Sequence, residues 1–254
     1  MERLVAKAFI HPDCFTEDRR GRGASRVPAY IWLLHCTSVA CSAMIYEGHS
    51  SGTESNFLLA DIVTNKEVPK LVGKHSHVIT SPPYINAQDY FRNFKLEFYL
   101  LEGVLPFRVD DLKNRFIGTE RGNLLAGITE EELQKHRERV PQLNLLAKKT
   151  PRAEAVIHRY LHDLGNAFET VKGCLESGGT FVLVCGDNLI AGQRIRTWQI
   201  LTEMLVERGF RLFDQFSDPI GDRMLAPKRC GHKGLIKEEV VTAFRLESHL
   251  HAHP

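Results

Sequence analysis

The short stretch Ser81-Pro82-Pro83-Tyr84 places a hydroxyl group, two prolines and an aromatic ring directly after an apolar run at residues 78–80. Because each proline fixes its own φ and lacks an N–H donor, the turn is stiff and rich in carbonyl acceptors. The Ser81 hydroxyl and these carbonyls can accept hydrogen bonds from an exocyclic amino group, which makes the amine nitrogen more electron-rich. The Tyr84 ring can stack on a flat heteroaromatic base, which contributes roughly 1–3 kcal/mol. The turn therefore predicts a pocket for an amino-bearing base; a proline turn with a packed tyrosine is the structural alternative.

Strands and helices must hold this turn in place, and their order can be read from residue 57 onward. The sequence predicts a strand ending at Asp61, a strand before Ser81, several helices, a buried strand at residues 180–187, another helix, and closing strands at residues 211–218 and 239–247. This alternation indicates an α/β fold with a mostly parallel sheet, and the closing strands are expected to form an antiparallel pair. Ligands of such sheets bind beyond the carboxyl ends of the strands, which is where the turn lies.

Three helices carry boundary signals in the sequence. Thr129 followed by acidic residues is an N-terminal capping signature for a surface helix. Pro151 suits the first turn of a long amphipathic helix, which Gly178 and Gly179 are expected to end. A further helix over residues 196–208 is expected to end at Gly209.

Composition limits the class of protein. The chain has 254 residues, 43% hydrophobic and 25% charged, with a net charge of +2, so it can form a sizeable core, and any basic surface must come from local clustering. Its six cysteines are scattered without a CxxC pair, which predicts reduced thiols and no metal site. The apolar run at residues 30–46 is shorter than a membrane span of about 20 residues and is expected to be a buried helix or strand pair. We expect a soluble, cytoplasmic protein with no membrane partner.

The turn and the segments downstream of it resemble the amino methyltransferases of DNA, whose motif is Asp, Asn or Ser, then Pro-Pro and an aromatic residue. The resemblance covers about residues 57–246 and is carried by "VITSPPYINAQDYFRNFKLEFYLL", "FIGTE", "ESGGTFVLVCGDNLIAGQRIRTWQILTEMLVERGF", "PKR" and "EEVVTAFR". It implies a Rossmann-like methyltransferase sheet, S-adenosylmethionine as cofactor and DNA as partner. The target base would flip out of the duplex to reach the pocket. The serine form of the motif is most associated with cytosine N4, ahead of adenine N6.

The resemblance also implies roles for single residues. Ser81 and the Pro82 carbonyl accept the amino protons, Pro83 completes the stiff turn, and Tyr84 stacks the base. Asp61 lies near the adenine of the cofactor; the alternative is a helix N-cap or an ordinary turn residue.

Further polar residues have both functional and structural interpretations. Asp187 and Asn188 border the target pocket or form a strand-end turn, and Asp89 and Tyr90 shape the pocket wall or cap a helix. Phosphate contacts, which hold register on DNA without reading sequence, are expected from the basic residues Arg194, Arg196, Lys228 and Arg229, with His232 and Lys233 beside them. A solvated basic loop is the alternative.

The glycine-rich cofactor turn of this family, typically "DPFxGSGT", is not found. Ser51-Gly52-Thr53 resembles its end, but seven residues then separate Thr53 from Asp61, which is too few for a helix and a ribose-binding strand. Three explanations stay open. The chain is a fragment of a longer methylase, one half of a split enzyme completed by a second chain, or a diverged copy that binds nucleic acid or a partner without catalysis.

We therefore interpret residues 1–56 as a segment of unclear role, residues 57–246 as a methyltransferase-like catalytic domain with a target-recognition insertion at 108–150, and residues 247–254 as a tail. The predicted function is site-specific methylation of an exocyclic amino group in DNA, of the kind found in restriction-modification systems. The alternative is a truncated or non-catalytic subunit. Similar enzymes that methylate protein glutamines or RNA bases usually carry Asp or Asn where Ser81 stands.

Overall fold

The protein has a mixed α/β fold. Its structure is a computed structural model that describes residues 61–85, 94–103, 108–112, 116–219 and 238–247. These residues belong to one compact unit that includes Ala60–Pro254. The strand predicted to end at Asp61 and the apolar run at 30–46 precede the first described residue.

The described elements follow one another in the order helix, strand, helices, strands, helix and strands. The helices are α1 (Val68–Val72), α2 (Lys95–Leu100), α3 (Val109–Leu112), α4 (Glu130–Arg139), α5 (Leu143–Lys149), α6 (Pro151–Cys174) and α7 (Thr197–Val206). The strands are β1 (His75–Thr80), β2 (Leu175–Gly186), β3 (Asn188–Ile190), β4 (Gln193–Ile195), β5 (Phe210–Pro219) and β6 (Glu238–Leu246). The predicted capping signature of α4 is confirmed, since the Thr129 and Glu132 side chains cap each other's backbone N–H groups.

Four of the strands form one sheet in the order β1-β2-β6-β5. Strand β1 pairs with β2 in parallel, whereas β6 pairs antiparallel with both β2 and β5. Strands β1, β2 and β5 therefore run in one direction, and β6 opposes them because it returns from β5 and lies between β5 and β2. The predicted antiparallel pair of closing strands is confirmed.

The junction between α6 and β2 differs from the sequence prediction. Helix α6 ends at Cys174 and β2 begins at the next residue, so Gly178 and Gly179 lie inside the strand and do not end the helix. A Cβ atom on Gly179 would lie 2.9 Å from the carbonyl oxygen of Glu176 and 3.3 Å from that of Ser76 on β1. The glycines are needed because β2 bulges here: Gly178 has a φ of +74°, and residues 176–179 of β2 stand opposite Ser76 alone.

The core lies between the sheet and its helices. Phe181 of β2 is fully buried and contacts the rings of Phe168, Phe210 and Phe244, with centroids 5.8–6.4 Å apart. Phe168 belongs to α6, so this aromatic cluster joins the longest described helix to the three strands β2, β5 and β6. Burial of these apolar rings is a main source of stability for the sheet and its packing against α6.

Strand β1 is an open edge of the sheet in the described part of the chain. No described strand pairs with its outer side, and Ile79 is 51% exposed. His75, Ser76 and His77 are exposed as well. Exposed edges with apolar residues are sites where another strand can add.

No helix among the described residues is long and apolar enough to cross a membrane.

Candidate functional site

The topology brings the ends of three strands to one edge of the sheet. Ser81 follows the last residue of β1, and Asp187 follows the last residue of the parallel strand β2. Because β6 is antiparallel, its first residues lie at the same edge, and Glu239 is the register partner of Gly186. The turn that begins at Ser81 therefore lies beside carboxylates from two other strands, which makes this edge rich in hydrogen-bond acceptors.

Tyr84 is tied to strand β6. Its hydroxyl group donates a hydrogen bond of 2.8 Å to Oε1 of Glu239, a residue 155 positions away in the sequence. Burial, together with the hydrogen bond to Glu239 and its negative charge, raises the pKa of Tyr84 well above its usual range, and a hydrogen bond with Ser81 opposes this only in part. The phenol therefore stays neutral at physiological pH. Ser81 itself is exposed, whereas Pro82 is buried.

A buried asparagine fixes the residue after Tyr84. Asn188 donates a 2.8 Å hydrogen bond from Nδ2 to the backbone carbonyl oxygen of Ile85. Its other amide atom, Oδ1, accepts a 2.8 Å hydrogen bond from the Thr197 hydroxyl. All three residues are buried, so each of these bonds satisfies a polar group that water does not reach. Asn188 lies in the β3–β4 hairpin, whose turn residues Ala191 and Gly192 have φ values of 47° and 79°, as in a tight two-residue hairpin.

Gly118 packs against the backbone of the turn from a third direction. It has a φ of +81°, and a Cβ atom there would lie 3.6 Å from the Tyr84 carbonyl oxygen and 3.7 Å from the ring of Tyr160. Arg152 of α6 holds the adjacent loop by donating hydrogen bonds to the carbonyl oxygens of Glu120 and Gly122. The segment "FIGTE", residues 116–120, is thus fixed next to the turn.

The two described arginines with expected phosphate contacts differ in their surroundings. Arg194 on β4 is 64% exposed and forms an ion pair with Asp187, with Nη2 2.8 Å from Oδ2. Its Nη2 atom is also 3.9 Å from Glu238. Arg196 is exposed and its guanidinium lies 3.5 Å from the Gln199 side chain. Arg196 is thus less neutralised by its neighbours than Arg194.

Asp61 is a buried turn residue. One carboxylate oxygen accepts a hydrogen bond of 2.9 Å from the N–H of Val63, and the other accepts one of 2.5 Å from the Thr64 hydroxyl. Asp61 therefore caps its own turn, as the structural alternative predicts, and its side chain is not exposed to solvent. A role of Asp61 beside a cofactor stays a prediction.

Other predicted residues fall outside the described ranges. Asp89, Tyr90, Lys228 and Arg229 are among them. In the described part of the chain, no group of three His, Cys, Asp or Glu side chains could hold a metal ion.

Sequence reasoning missed Glu239. The segment "EEVVTAFR" by itself indicates only a strand, although the alternation of that strand carries a signal. Val240, Thr242 and Phe244 face the buried side, so Glu239 lies on the opposite face at the end of the strand that approaches the turn. The partner of that carboxylate cannot be identified without the three-dimensional order of the strands.

Comparisons with known proteins give limited information. No family model matches this sequence. No curated protein matches it. One solved structure with some likeness is that of a Thermus thermophilus protein described provisionally as a DNA modification methylase, with 18% identity and a TM-score of 0.27. The match covers 35% of this chain and 37% of that one, and a likeness of this size carries no argument about function.

Proposed function

We propose that this chain binds a flipped-out DNA base and prepares its exocyclic amino group for methylation, with cytosine N4 favoured over adenine N6. The observation that carries the proposal is the convergence of Gly118, Asn188 and Glu239 on the turn at residues 81–85. Each comes from a different one of the segments that resemble DNA amino methyltransferases. A proline turn that only connects two elements does not need three distant segments to fix its backbone and its tyrosine.

The four residues of the turn have complementary roles in this proposal. The exposed Ser81 hydroxyl and the Pro82 carbonyl accept the protons of the base amine, which increases electron density on its nitrogen. Tyr84 offers its ring as a stacking surface, worth about 1–3 kcal/mol for one base. The Tyr84 hydroxyl is neutral and directed to Glu239, which leaves the face of the ring as the surface for the base.

The charges at this edge favour an amine over a phosphate. Glu239 and Asp187 are negative, and the nearby Arg194 is already paired with Asp187. Acceptor groups stabilise the N–H protons of an amino group and disfavour a phosphate group at the same place. In this proposal the DNA backbone is bound by Arg196 and the exposed face of Arg194, and phosphate contacts of Lys228 and Arg229 stay a prediction.

The described residues do not fit S-adenosylmethionine. In the described ranges no glycine-rich turn follows a strand, and the Asp61 carboxylate caps its own turn. We therefore assign no step to the cofactor here. We propose that a second chain supplies the cofactor-binding half and pairs with the edge of β1 that no described strand covers, where Ile79 is 51% exposed.

The test is transfer of tritium-labelled methyl groups from S-adenosylmethionine to unmethylated DNA by the full chain. We expect Tyr84→Ala and Ser81→Ala to lower turnover severely, because each removes a group that contacts the base. The matched controls are Tyr99→Ala and Ser217→Ala, whose residues are exposed and lie outside the turn. Circular dichroism establishes that each variant keeps its fold. Turnover that persists in both turn variants contradicts the assignment of the pocket.

A non-catalytic DNA-binding subunit is the second candidate. It is favoured by the lack of a cofactor turn in the described part of the chain. Calorimetric titration with S-adenosylmethionine alone separates the two candidates. Micromolar binding supports the enzyme, whereas DNA retention in a mobility-shift assay without cofactor binding or turnover supports the subunit.

A further inference from the structure

We propose that Glu239 is a positioning residue that holds the Tyr84 ring at the carboxyl edge of the sheet. The inference rests on the proposed function for its effect on methylation, but the positioning itself can be measured without activity. Glu239 is not one of the residues that the sequence resemblance marks as functional.

Glu239 is attached to the most constrained strand of the sheet. Strand β6 is paired on both sides, and Glu239 stands in register between Gly186 of β2 and Asp218 of β5. Its backbone is therefore fixed by two ladders of hydrogen bonds, which gives the side chain a fixed point of attachment.

Tyr84, by contrast, lies in an irregular turn. No helix or strand includes it, and its backbone is held by contacts of its neighbours, chiefly the hydrogen bond from Asn188 to Ile85. The side chain has two free torsions between that backbone and the hydroxyl group. The 2.8 Å hydrogen bond to Glu239 fixes the far end of the ring, so backbone and ring are held from opposite ends.

The charge of Glu239 makes this contact stronger than an ordinary hydrogen bond between neutral groups. Hydrogen bonds to a carboxylate are roughly twice as strong as neutral ones. The carboxylate raises the tyrosine pKa in the same direction as burial does, because it stabilises the protonated hydroxyl as donor. Loss of one such bond corresponds to roughly a tenfold change or more in an equilibrium constant.

A role as proton acceptor from the substrate fits the geometry less well. The Oε1 atom of Glu239 is occupied by the tyrosine hydroxyl. The inference is therefore that Glu239 acts on the base through Tyr84.

A double-mutant cycle on methyl transfer tests this. The variants are Tyr84→Phe, Glu239→Ala and the double variant. The control is Glu247→Ala, whose carboxylate pairs with the exposed Arg211 and follows the other end of β6. We expect Glu239→Ala to lower kcat about tenfold in the wild-type chain but hardly at all in the Tyr84→Phe chain. Glu239→Gln, which keeps an acceptor oxygen, should restore part of the rate. Equal losses in both backgrounds would overturn the inference.

A second measurement decides the question if the wild-type chain shows no turnover. Tyrosines are labelled with carbon-13 in the ring, and the Tyr84 signal is identified by its loss in Tyr84→Phe. We expect Glu239→Ala to shift the Tyr84 ring signal and Glu247→Ala to leave it in place. An unshifted signal in Glu239→Ala would refute the positioning role, whereas a shifted signal without turnover in the wild-type chain would refute the proposed function alone.

Discussion

The buried Asn188 side chain links the proposed pocket to the β3–β4 hairpin, and its replacement tests how firmly the turn is held. Asn188→Ala removes the donor to the Ile85 carbonyl and the acceptor for the Thr197 hydroxyl, both at 2.8 Å. Ile85 and Thr197 are 1% and 0% exposed, so water does not replace the lost partners. Each buried polar group left unsatisfied costs about 1–3 kcal/mol, and Thr197 keeps a weaker contact to the Ile195 carbonyl, so we expect a loss of about 2–4 kcal/mol.

Urea unfolding of the full chain measures this loss. Asn188→Asp keeps the volume of the side chain but turns an oxygen toward the Ile85 carbonyl, so it should also be destabilising by about 2 kcal/mol or more. Asn144→Ala is the matched control, because Asn144 is exposed on α5 and surface changes usually stay within about 0.5 kcal/mol. If Asn188→Ala and Asn188→Asp lower the free energy of unfolding no more than Asn144→Ala does, Asn188 does not hold the turn in place.

Two further predictions concern stability. His136 is buried against His158, with their Nδ1 atoms 3.1 Å apart, and burial together with the charge of His158 lowers the pKa of His136 to about 4. Because the unfolded chain takes up this proton near pH 6.5, the free energy of unfolding should fall by about 2–3 kcal/mol between pH 6.5 and 4. Urea unfolding across that range should show a weaker dependence on pH in His136→Gln. The same dependence on pH in the variant and the wild-type chain would contradict the assignment. Gly118 has a φ of +81° beside the Tyr84 carbonyl, so Gly118→Ala should lower the free energy of unfolding by about 1–2 kcal/mol and lower the thermal midpoint. Gly103 has neither a positive φ nor a close neighbour, so Gly103→Ala should leave the thermal midpoint nearly unchanged.

Local signals in the sequence predict local structure well. The reciprocal caps of Thr129 and Glu132 involve residues three positions apart, so one short motif contains all the information that is needed. The closing strands are predictable because alternation has a period of two along each strand. The prediction for the two glycines after α6 is wrong because glycines also suit a bulged strand, and only the pairing of β2 with β1 shows the bulge.

The sequence predicts the turn of the candidate site but not the distant residues that contact the turn. The turn at residues 81–84 is contiguous, and its residue types indicate an amine-accepting pocket. The contacts of Glu239 and Asn188 with this turn span 155 and 103 positions, and no spacing rule applies over such distances. Both contacts depend on the strand order of the sheet.

The position of β6 has a consequence for the folding of the chain during its synthesis on the ribosome. Strand β6 is the last described strand in the sequence, yet it lies between β2 and β5. A nascent chain that has been synthesised only as far as Pro219 has both of these strands but nothing to join them. It must hold the two unpaired edges apart from each other and from neighbouring chains until residues 238–246 emerge, and long-range pairing of this kind is slow and prone to aggregation. Premature termination anywhere before β6 should therefore yield a substrate for chaperones or proteases, and not a smaller folded domain.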